Sequence, residues 1–378
     1  MKIISINAGS SSLKFSLFDM DNETCIASGY FERVTLPNSF YTIKYNGEKI
    51  REEVEMPNHT VAVEILLDRL VSLNIISSLD EIDGIGHRLV HGADKYNKSV
   101  IITDEVVEDL KKYIPLAPLH NPANILGIEA VKNALPNVPM VGVFDTAFHQ
   151  TMDEVNYIYP VPYEWYQDYK VRKYGFHGTS HCYISKQISR CHLGSGGSLS
   201  LVIDGKCVDT TMGFTPLAGI MMGTRSGDID PSIIPYIASS TGKSIDEVMN
   251  DLNKKSGFLG LSGEYSDFRD IYAGVMENNP RCVLAFNKYV QTVVKYIAEY
   301  YVEAGGVDTI IFTAGLGENA SEAREAIINK LNCLDIYLDK EANLVRGEEI
   351  KISRDDSKVS IYVVPTNEEL MIALDTYN

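Results

Sequence analysis

The chain has 378 residues, of which 45% are hydrophobic and 22% are charged. This length predicts two to three domains of about 150 residues each, and the composition is typical of a globular protein with a sizeable core. The formal net charge of −17 disfavours nucleic acid and anionic membranes as partners over most of the surface. Any bound anion therefore needs local positive charge.

The apolar runs, the first residues and the cysteines indicate the cellular compartment. No apolar run approaches the roughly 18 residues of a membrane helix, and the apolar segment in MKIISINAGSSS is too short for a secretory signal. The 6 cysteines are widely separated and form no CxxC pair, which favours reduced thiols over disulfides or a zinc site. We expect a cytoplasmic protein.

The first predicted element is a β-hairpin. Residues 2 to 6 and 13 to 18 are strand-like runs, and the small polar sequence NAGSSS lies between them. Its Ser10 and Ser12 offer hydroxyl groups on a backbone that a ligand can approach closely, and Lys14 follows. This turn could bind a phosphate, and an ordinary polar turn is an equal alternative.

A second stretch repeats this design. Residues 189 to 209, SRCHLGSGGSLSLVIDGKCVD, predict a strand, a Gly/Ser turn, a strand and an Asp-Gly hairpin turn. Gly9 aligns with Gly194, and Asp19 aligns with Asp204. Two related halves are the simplest explanation.

Helices and strands alternate along the rest of the chain. Apolar residues at helical spacing predict helices at residues 61 to 73 and 281 to 304, the second ended by a glycine pair. Three strand-like runs are each followed by a polar motif: 139 to 144 by Asp145, 307 to 312 by AGLGEN, and 360 to 364 by PTNEEL. Because open α/β sheets bind ligands at the carboxyl ends of strands, we expect an α/β protein of two lobes with a cleft.

Two of these motifs suit a nucleotide and a metal ion. AGLGEN joins a strand to a helical stretch, where anions are favoured, although a structural turn is an equal alternative. In TNEE, Thr366 and Glu369 have the spacing of a capping box, which leaves Glu368 as a candidate Mg²⁺ ligand. Asn7, at the end of the first strand, could supply or orient a second oxygen.

The histidines and arginines are the candidate groups for phosphoryl transfer. His177 and His181 are four apart in HGTSH, but a zinc protease would need a glutamate where Gly178 stands. His177 is better used as a donor to a phosphoryl group, and the alternative is a hydrogen-bonded packing histidine.

Arg88, in GHRLVHG, and Arg225, in GTRSGDIDP, are candidates for bidentate binding of carboxylate and phosphate. The alternative for Arg225 is a structural ion network with Asp228 and Asp230.

Together these segments resemble the acetate kinase family, within the superfamily of acetate and sugar kinases, Hsp70 and actin. The family's motifs occur in the family's order: NAGSSSLK, GHRLVHG, APLHNP, DTAFH, YGFHGTSH, HLGSGGS, MGFTPL, GTRSGDIDP, SDFRD, GLGEN and PTNEEL. The resemblance implies a two-lobed, duplicated, actin-like and ribonuclease H-like fold with the active-site cleft between the lobes. Its N-terminal lobe would be residues 1 to 147, on which residues 370 to 378 pack back, and its C-terminal lobe residues 148 to 369.

The resemblance also implies reversible, direct in-line transfer of the γ-phosphoryl group of ATP to acetate, giving acetyl phosphate and ADP. Mg²⁺ would be required, and Mn²⁺ could replace it. Acetate is already ionised at neutral pH, so the site must cancel repulsion between two anions rather than supply a base. The implied catalytic residues are Asp145, His177 and Arg225, and Arg88 would hold the acetate carboxylate.

The remaining implied contacts fall into three sets. The metal ligands are Asn7 and Glu368. The acetate pocket is lined by Val90, Leu119, His120, Phe176 and Pro216. The ATP contacts are Ser10, Ser12, Lys14, His192, Leu193, Gly194, Ser195, Gly196, Asp267, Phe268, Arg269, Gly315, Leu316, Gly317, Glu318 and Asn319. The family is also homodimeric through the C-terminal lobe.

Departures from the family pattern keep alternatives open. The family commonly has HLGNG where this chain has Ser195, and a pyrophosphate-using relative departs at the same loop, so a pyrophosphate-linked kinase is one alternative. Ala218 stands where many relatives have glutamate. One extra methylene changes preference by only about 1 to 3 kcal/mol, so propionate is a further candidate substrate. A non-catalytic, actin-like nucleotide switch or filament subunit is the alternative outside the enzymes.

Overall fold

The computed structural model describes residues 1–187 and 197–378. The predicted ATP contacts His192, Leu193, Gly194, Ser195 and Gly196 lie outside the described residues. The chain divides into two compact units. The first is made of Met1–Gln150, His177–Tyr183 and Asn367–Asn378, and the second of Thr151–Phe176 and Ile184–Thr366. The domain boundaries proposed from the sequence stay predictions.

Strands and helices alternate through the described residues, which confirms the predicted α/β class. The strands are β1 (Lys2–Gly9), β2 (Ser12–Asp19), β3 (Thr24–Glu32), β4 (Phe40–Tyr45), β5 (Glu48–Glu53), β6 (Ile82–Leu89), β7 (Val100–Ile101), β8 (Met140–Phe144), β9 (Ser200–Ile203), β10 (Lys206–Thr210), β11 (Thr309–Phe312), β12 (Ile350–Lys351) and β13 (Ser360–Val363).

The helices are α1 (His59–Ser72), α2 (Asp104–Lys112), α3 (Asn121–Ala134), α4 (Glu154–Tyr157), α5 (Tyr163–Tyr169), α6 (Gly178–Gln187), α7 (Ile233–Thr241), α8 (Ile245–Lys254), α9 (Gly257–Ser262), α10 (Phe268–Met276), α11 (Pro280–Glu303), α12 (Ala314–Asn319), α13 (Ser321–Asn329) and α14 (Glu368–Tyr377). No helix in the described ranges is both long and apolar enough to span a membrane.

The first unit is built on a sheet with the strand order β5-β4-β3-β2-β1-β6-β8-β7. The predicted opening hairpin is confirmed, because β1 and β2 pair antiparallel along their full lengths, with Gly9 opposite Ser12. Only Ser10 and Ser11 are left for the turn. The strands reach further into NAGSSS than predicted because the ladder of hydrogen bonds continues through its small residues.

The two faces of this sheet are covered by different helices. Residues such as Ile4, Ile6, Leu13 and Phe15 are buried in the main core, which α1 and α3 complete. Ile3 and Phe18 point to the opposite face, where they pack with Ala373 of α14. Because side chains alternate along a strand, Asn7 and Lys14 lie on the face that α14 covers.

Arg88 lies on the same face. Gly86, two residues earlier on β6, would place an added Cβ 2.5 Å from a side-chain carbon of Ile372 in α14, so only glycine allows this helix to pack so closely. Strands β1, β6 and β8 run parallel, with Ile6 opposite His87. Their carboxyl ends therefore meet at one edge of the sheet, above which α14 begins.

The second unit confirms part of the predicted repeat. β9 and β10 form an antiparallel hairpin whose turn is Asp204 and Gly205, both with positive φ (49° and 75°). β11 pairs parallel with β13, as expected for strands followed by polar motifs. The long helix α11 ends just before Gly305, which has a φ of 68°. AGLGEN is a short helix, α12, and not the turn predicted from its glycines.

Candidate active site

Arg88 and Asp145 form the central ion pair of the first unit. Arg88 is the penultimate residue of β6, and Asp145 directly follows β8. The guanidinium donates from Nε to Oδ1 of Asp145 at 3.0 Å and from NH2 to Oδ2 at 2.7 Å. The side chain of Asp145 is only 2% exposed, and its charge raises the pKa of Arg88 although burial acts the other way. The pair is bidentate and therefore fixed in orientation.

Asn124 connects the end of β6, the strand that carries Arg88, to the end of β1. Its buried amide donates to the carbonyl of Ala8 at 3.0 Å and accepts from the N–H of Val90 at 3.0 Å. It thereby connects the carboxyl ends of β1 and β6. Sequence reasoning missed this residue. The signal available was an asparagine on an otherwise apolar helix face, where an amide needs partners.

The start of α14 differs from the sequence prediction. The side chain of Asn367 caps the helix by accepting from the N–H of Leu370 at 3.0 Å, and the N–H of Thr366 donates to Glu318 at 3.0 Å. The capping box of Thr366 and Glu369 is therefore wrong. Glu369 pairs instead with Lys14 of β2. A lysine ammonium is a stronger partner for a carboxylate than a backbone N–H, which explains the difference.

Glu368 lies half-buried among these charged groups. Burial raises the pKa of Glu368, Arg88 opposes this rise, and the negative charges of Asp145 and Glu369 add to it. Lys14 also acts on Glu368, in the same direction as Arg88. The structure thus brings together the predicted residues Arg88, Asp145, Glu368 and Lys14 near one edge of the sheet.

The donor set fits Mg²⁺ better than a transition metal. Within residues 1–187 and 197–378, no group of three or more His, Cys, Asp and Glu side chains could hold a metal ion. Mg²⁺ usually takes one or two protein oxygens and relies on substrate phosphates and water. The carboxylate of Glu368 and the amide of Asn7 are oxygen donors of this kind.

His177 is held beside Asp145 by the backbone. The N–H of Gly178 donates to the carbonyl of Asp145 at 2.9 Å, and the carbonyl of His177 accepts from the N–H of His181 at 3.0 Å. His177 itself has a φ of 58°, a left-handed conformation that costs about 1 kcal/mol or more in a non-glycine residue. A Cβ on Gly178 would lie 2.2 Å from the carbonyl oxygen of Asp145, so only glycine permits this approach.

Arg225 belongs to the second unit and has no carboxylate partner among the described residues. Its guanidinium donates to the carbonyl of Pro216 at 3.1 Å, and burial lowers the pKa of Arg225. The carboxylate of Asp228 accepts from the N–H of Gly219 at 2.8 Å and from a tyrosine hydroxyl. Asp230 accepts from a backbone N–H of its own turn. The alternative of an ion network around Arg225 is therefore wrong.

A cavity of about 660 Å³ in the second unit is lined by six of the predicted ATP contacts. This volume lies within the range of small-molecule sites. The predicted residues that line it are Asp267, Phe268, Arg269, Gly315, Leu316 and Asn319. Sequence reasoning missed the other lining residues, which are Ser266, Tyr272, Ala320, Glu322 and Arg346.

Several of the predicted ATP contacts already have structural partners. Asp267 caps α10 by accepting from the N–H of Arg269 at 2.8 Å, and its carboxylate pairs with the Arg269 guanidinium. Glu318 accepts from the N–H groups of Ala314 and Thr366 at 2.7 and 3.0 Å. Glu318 thus joins the ends of β11 and β13 and takes one of the N–H groups at the start of α12.

The remaining predicted residues are divided between the units. Val90 is buried and Leu119 is 60% exposed in the first unit, where His120 directly precedes α3. Phe176 is buried in the second unit, and Pro216 accepts the hydrogen bond of Arg225 there. Ser10 and Ser12 are exposed at the hairpin turn of the first unit.

Comparison with known proteins gives one consistent result. The model of the Acetokinase family matches residues 2–374. The acetate kinase of Bacillus subtilis (strain 168) is 52% identical over 387 residues, which cover 99% of this chain and 98% of that relative.

Solved structures agree with this match. The acetate kinase of Porphyromonas gingivalis has a TM-score of 0.93 and 43% identity, with 100% of this chain and 98% of that one covered. A propionate kinase from Francisella tularensis has a TM-score of 0.94 and 41% identity, with 100% and 99% covered. Taken with the assembled arginine, aspartate and glutamate, these matches show that the chain belongs to the acetokinase family.

Proposed function

We propose that this chain is an acetate kinase, which transfers the γ-phosphoryl group of ATP directly and reversibly to acetate. The observation that carries the proposal is the meeting of Arg88, Asp145 and Glu368 at the edge where the parallel strands of the first unit end. This edge is where open α/β sheets bind ligands. The similarity to both acetate and propionate kinases supports a short carboxylic acid as the acceptor.

The proposed role of Arg88 is to bind the acetate carboxylate. A guanidinium has five N–H donors, and the hydrogen bonds to Asp145 use its Nε and one of its NH2 donors. The remaining donors can hold a carboxylate while Asp145 keeps the guanidinium oriented. The acetate pocket stays a prediction, and its predicted residues are Val90, Leu119, His120, Phe176 and Pro216.

The proposed roles of Arg225 and His177 are to stabilise negative charge on the transferring phosphoryl group. Arg225 is a partly buried cation for which the described ranges of the chain supply no carboxylate partner, so it is suited to an incoming anion. The strained backbone at His177 is typical of a residue held for function. When bound through Glu368 and Asn7, Mg²⁺, or Mn²⁺ in its place, would neutralise the nucleotide phosphates.

The proposed nucleotide site is the cavity around α10 and α12 in the second unit, and Ser10, Ser12 and Lys14 stay predicted contacts of the phosphates. The open cavity supports ATP, since pyrophosphate has no group to fill it. The loop of residues 192 to 196 stays a predicted contact. A pyrophosphate-linked kinase remains the second candidate because Ser195 replaces the family's asparagine.

An assay of purified protein tests both candidates. Incubation with acetate, Mg²⁺ and ATP should give acetyl phosphate, trapped with hydroxylamine as the hydroxamate. The same assay with pyrophosphate should give none, and propionate should react more slowly than acetate by about 10- to 200-fold, the effect of one extra methylene. Product with pyrophosphate alone would establish the second candidate, and no product with any donor would refute both.

We further propose that the chain is a cytoplasmic homodimer associated through the second unit. Helix α7 is rich in apolar residues yet has no buried residue, and Ile229, Ile233 and Tyr236 around it are 36%, 42% and 68% exposed. An exposed apolar patch of this kind supports an association surface.

Sedimentation of the wild-type protein should give the mass of a dimer, and the Tyr236→Glu variant should have the mass of a monomer. A wild-type monomer would refute this assignment.

A further inference from the structure

Lys14 lies in a row of side chains that crosses three strands. Asn7 of β1 is directly opposite Lys14 of β2, and Lys14 is directly opposite Tyr30 of β3. Opposite residues in antiparallel strands point to the same face of a sheet. The ammonium group therefore projects next to a proposed Mg²⁺ ligand and under the first turn of α14.

Two neighbours hold the Lys14 ammonium group in place. The carboxylate of Glu369 contacts it directly, and the ring centroid of Tyr30 lies 5.3 Å from Nζ. The side chains of Lys14 and Glu369 are only 33% and 22% exposed, so this pair is more constrained than a surface ion pair. Burial lowers the pKa of Lys14, but Glu369 and Tyr30 together raise this pKa by more, so the net shift is upward.

Glu369 has no capping function that would otherwise account for it. Asn367 performs the capping of α14, and among the described residues the ion-pair partner of Glu369 is Lys14. Lys14 also acts electrostatically on Glu368. If Glu369 were neutral, Glu368 would be the available carboxylate for Lys14, and the proposed metal ligand would be drawn into an ion pair.

We propose that Glu369 is a positioning residue, which holds the Lys14 ammonium group in the orientation that a nucleotide phosphate requires and keeps Lys14 away from Glu368. An ammonium group has three N–H donors, and one carboxylate contact leaves others for a phosphate. A flexible lysine that is held in advance loses less freedom when the phosphate arrives. This inference rests on the proposed assignment of Lys14 to the ATP phosphates.

Equilibrium binding of N-methylanthraniloyl-ADP, with and without Mg²⁺, tests the inference without turnover. Glu369→Gln keeps the shape of the side chain and removes its charge. We expect this variant to bind the nucleotide about 10-fold more weakly, and Lys14→Met to be weakened at least as much. The double variant should be no weaker than Lys14→Met, because the proposed effect of Glu369 on nucleotide binding is exerted through Lys14.

The chain offers a matched control on the same sheet. Lys2 and Glu81 form a direct ion pair of similar exposure, 29% and 30%, at the opposite end of β1. Glu81→Gln should bind the nucleotide with wild-type affinity. Thermal unfolding of each variant identifies any that does not fold, and Glu369→Asp, which keeps the charge, should recover most of the affinity.

Two outcomes would overturn the inference. Tighter nucleotide binding by Glu369→Gln would mean that Glu369 competes with phosphate for Lys14. Losses that add up in the double variant would mean that the two residues act independently. Failure of the wild-type protein to bind the nucleotide at all would instead refute the proposed function, so the two failures are distinguishable.

Discussion

Replacing Arg88 by alanine should lower the rate of acetyl phosphate formation at least about 1000-fold and raise the KM for acetate much more than the KM for ATP. The reason is that Arg88 is proposed to bind the carboxylate directly, whereas the nucleotide cavity lies in the second unit. Steady-state kinetics with each substrate varied in turn measures the difference. Equal effects on both KM values would contradict the role given to Arg88.

The same substitution should also destabilise the protein. Arg88 is the bidentate partner of Asp145, whose side chain is 2% exposed, and removing it leaves a buried carboxylate without a counter-ion. Removing one partner of a buried ion pair lowers the free energy of unfolding by about 3 to 5 kcal/mol. The double variant Arg88→Ala, Asp145→Asn should recover much of the free energy of unfolding and none of the activity. Denaturant unfolding of the single and double variants therefore separates the structural role from the catalytic one.

Replacing Arg225 by alanine should lower the activity without lowering the stability of the protein. We expect kcat to fall by about 10³ to 10⁵, the range found for arginines that stabilise phosphoryl transfer. The free energy of unfolding should stay within about 1 kcal/mol of the wild-type value or rise, because the substitution removes a desolvated cation with no carboxylate partner among the described residues. Steady-state kinetics gives kcat, and denaturant unfolding of the same preparation gives the free energy of unfolding.

Arg281 provides the matched control for Arg225. It is another arginine of the second unit that donates to backbone carbonyls, those of Leu261 and Gly260 at 2.7 and 3.0 Å. Arg281→Ala should keep kcat near the wild-type value. A loss of stability in Arg225→Ala as large as that in Arg88→Ala would show that its contacts are structural and would contradict the proposal.

The strands and helices with regular patterns were predictable from local sequence. The hairpin of β1 and β2, the helix α11 and the strands before Asp145 and AGLGEN all follow from apolar spacing and from glycines in their turns. These signals are local because backbone hydrogen bonding and side-chain alternation act over a few residues. The predicted ends differ by one to three residues, because ladders and helices extend as far as packing allows.

The partners of polar side chains were less predictable. Thr366 and Glu369 have the right spacing for a capping box, but Lys14, more than 350 residues away in sequence, takes the glutamate. The amide of Asn124 on an apolar helix face signals that a partner is needed but not which one, and the carbonyl that it contacts, that of Ala8, is 116 residues away in sequence. Ion pairs and hydrogen bonds depend on distances in space, which sequence spacing does not encode.

The sequence by itself determined the family, the α/β class and the identity of the candidate catalytic residues, because ordered motifs and short-range periodicity are written along the chain. Only the tertiary structure decided which charges are matched. It paired Arg88 with Asp145 and Lys14 with Glu369, and it left Arg225 without a carboxylate partner among the residues that the structure describes. The reason is that the energy of a charge depends on its burial and on its neighbours across the fold, which exist only once the strands and helices have packed.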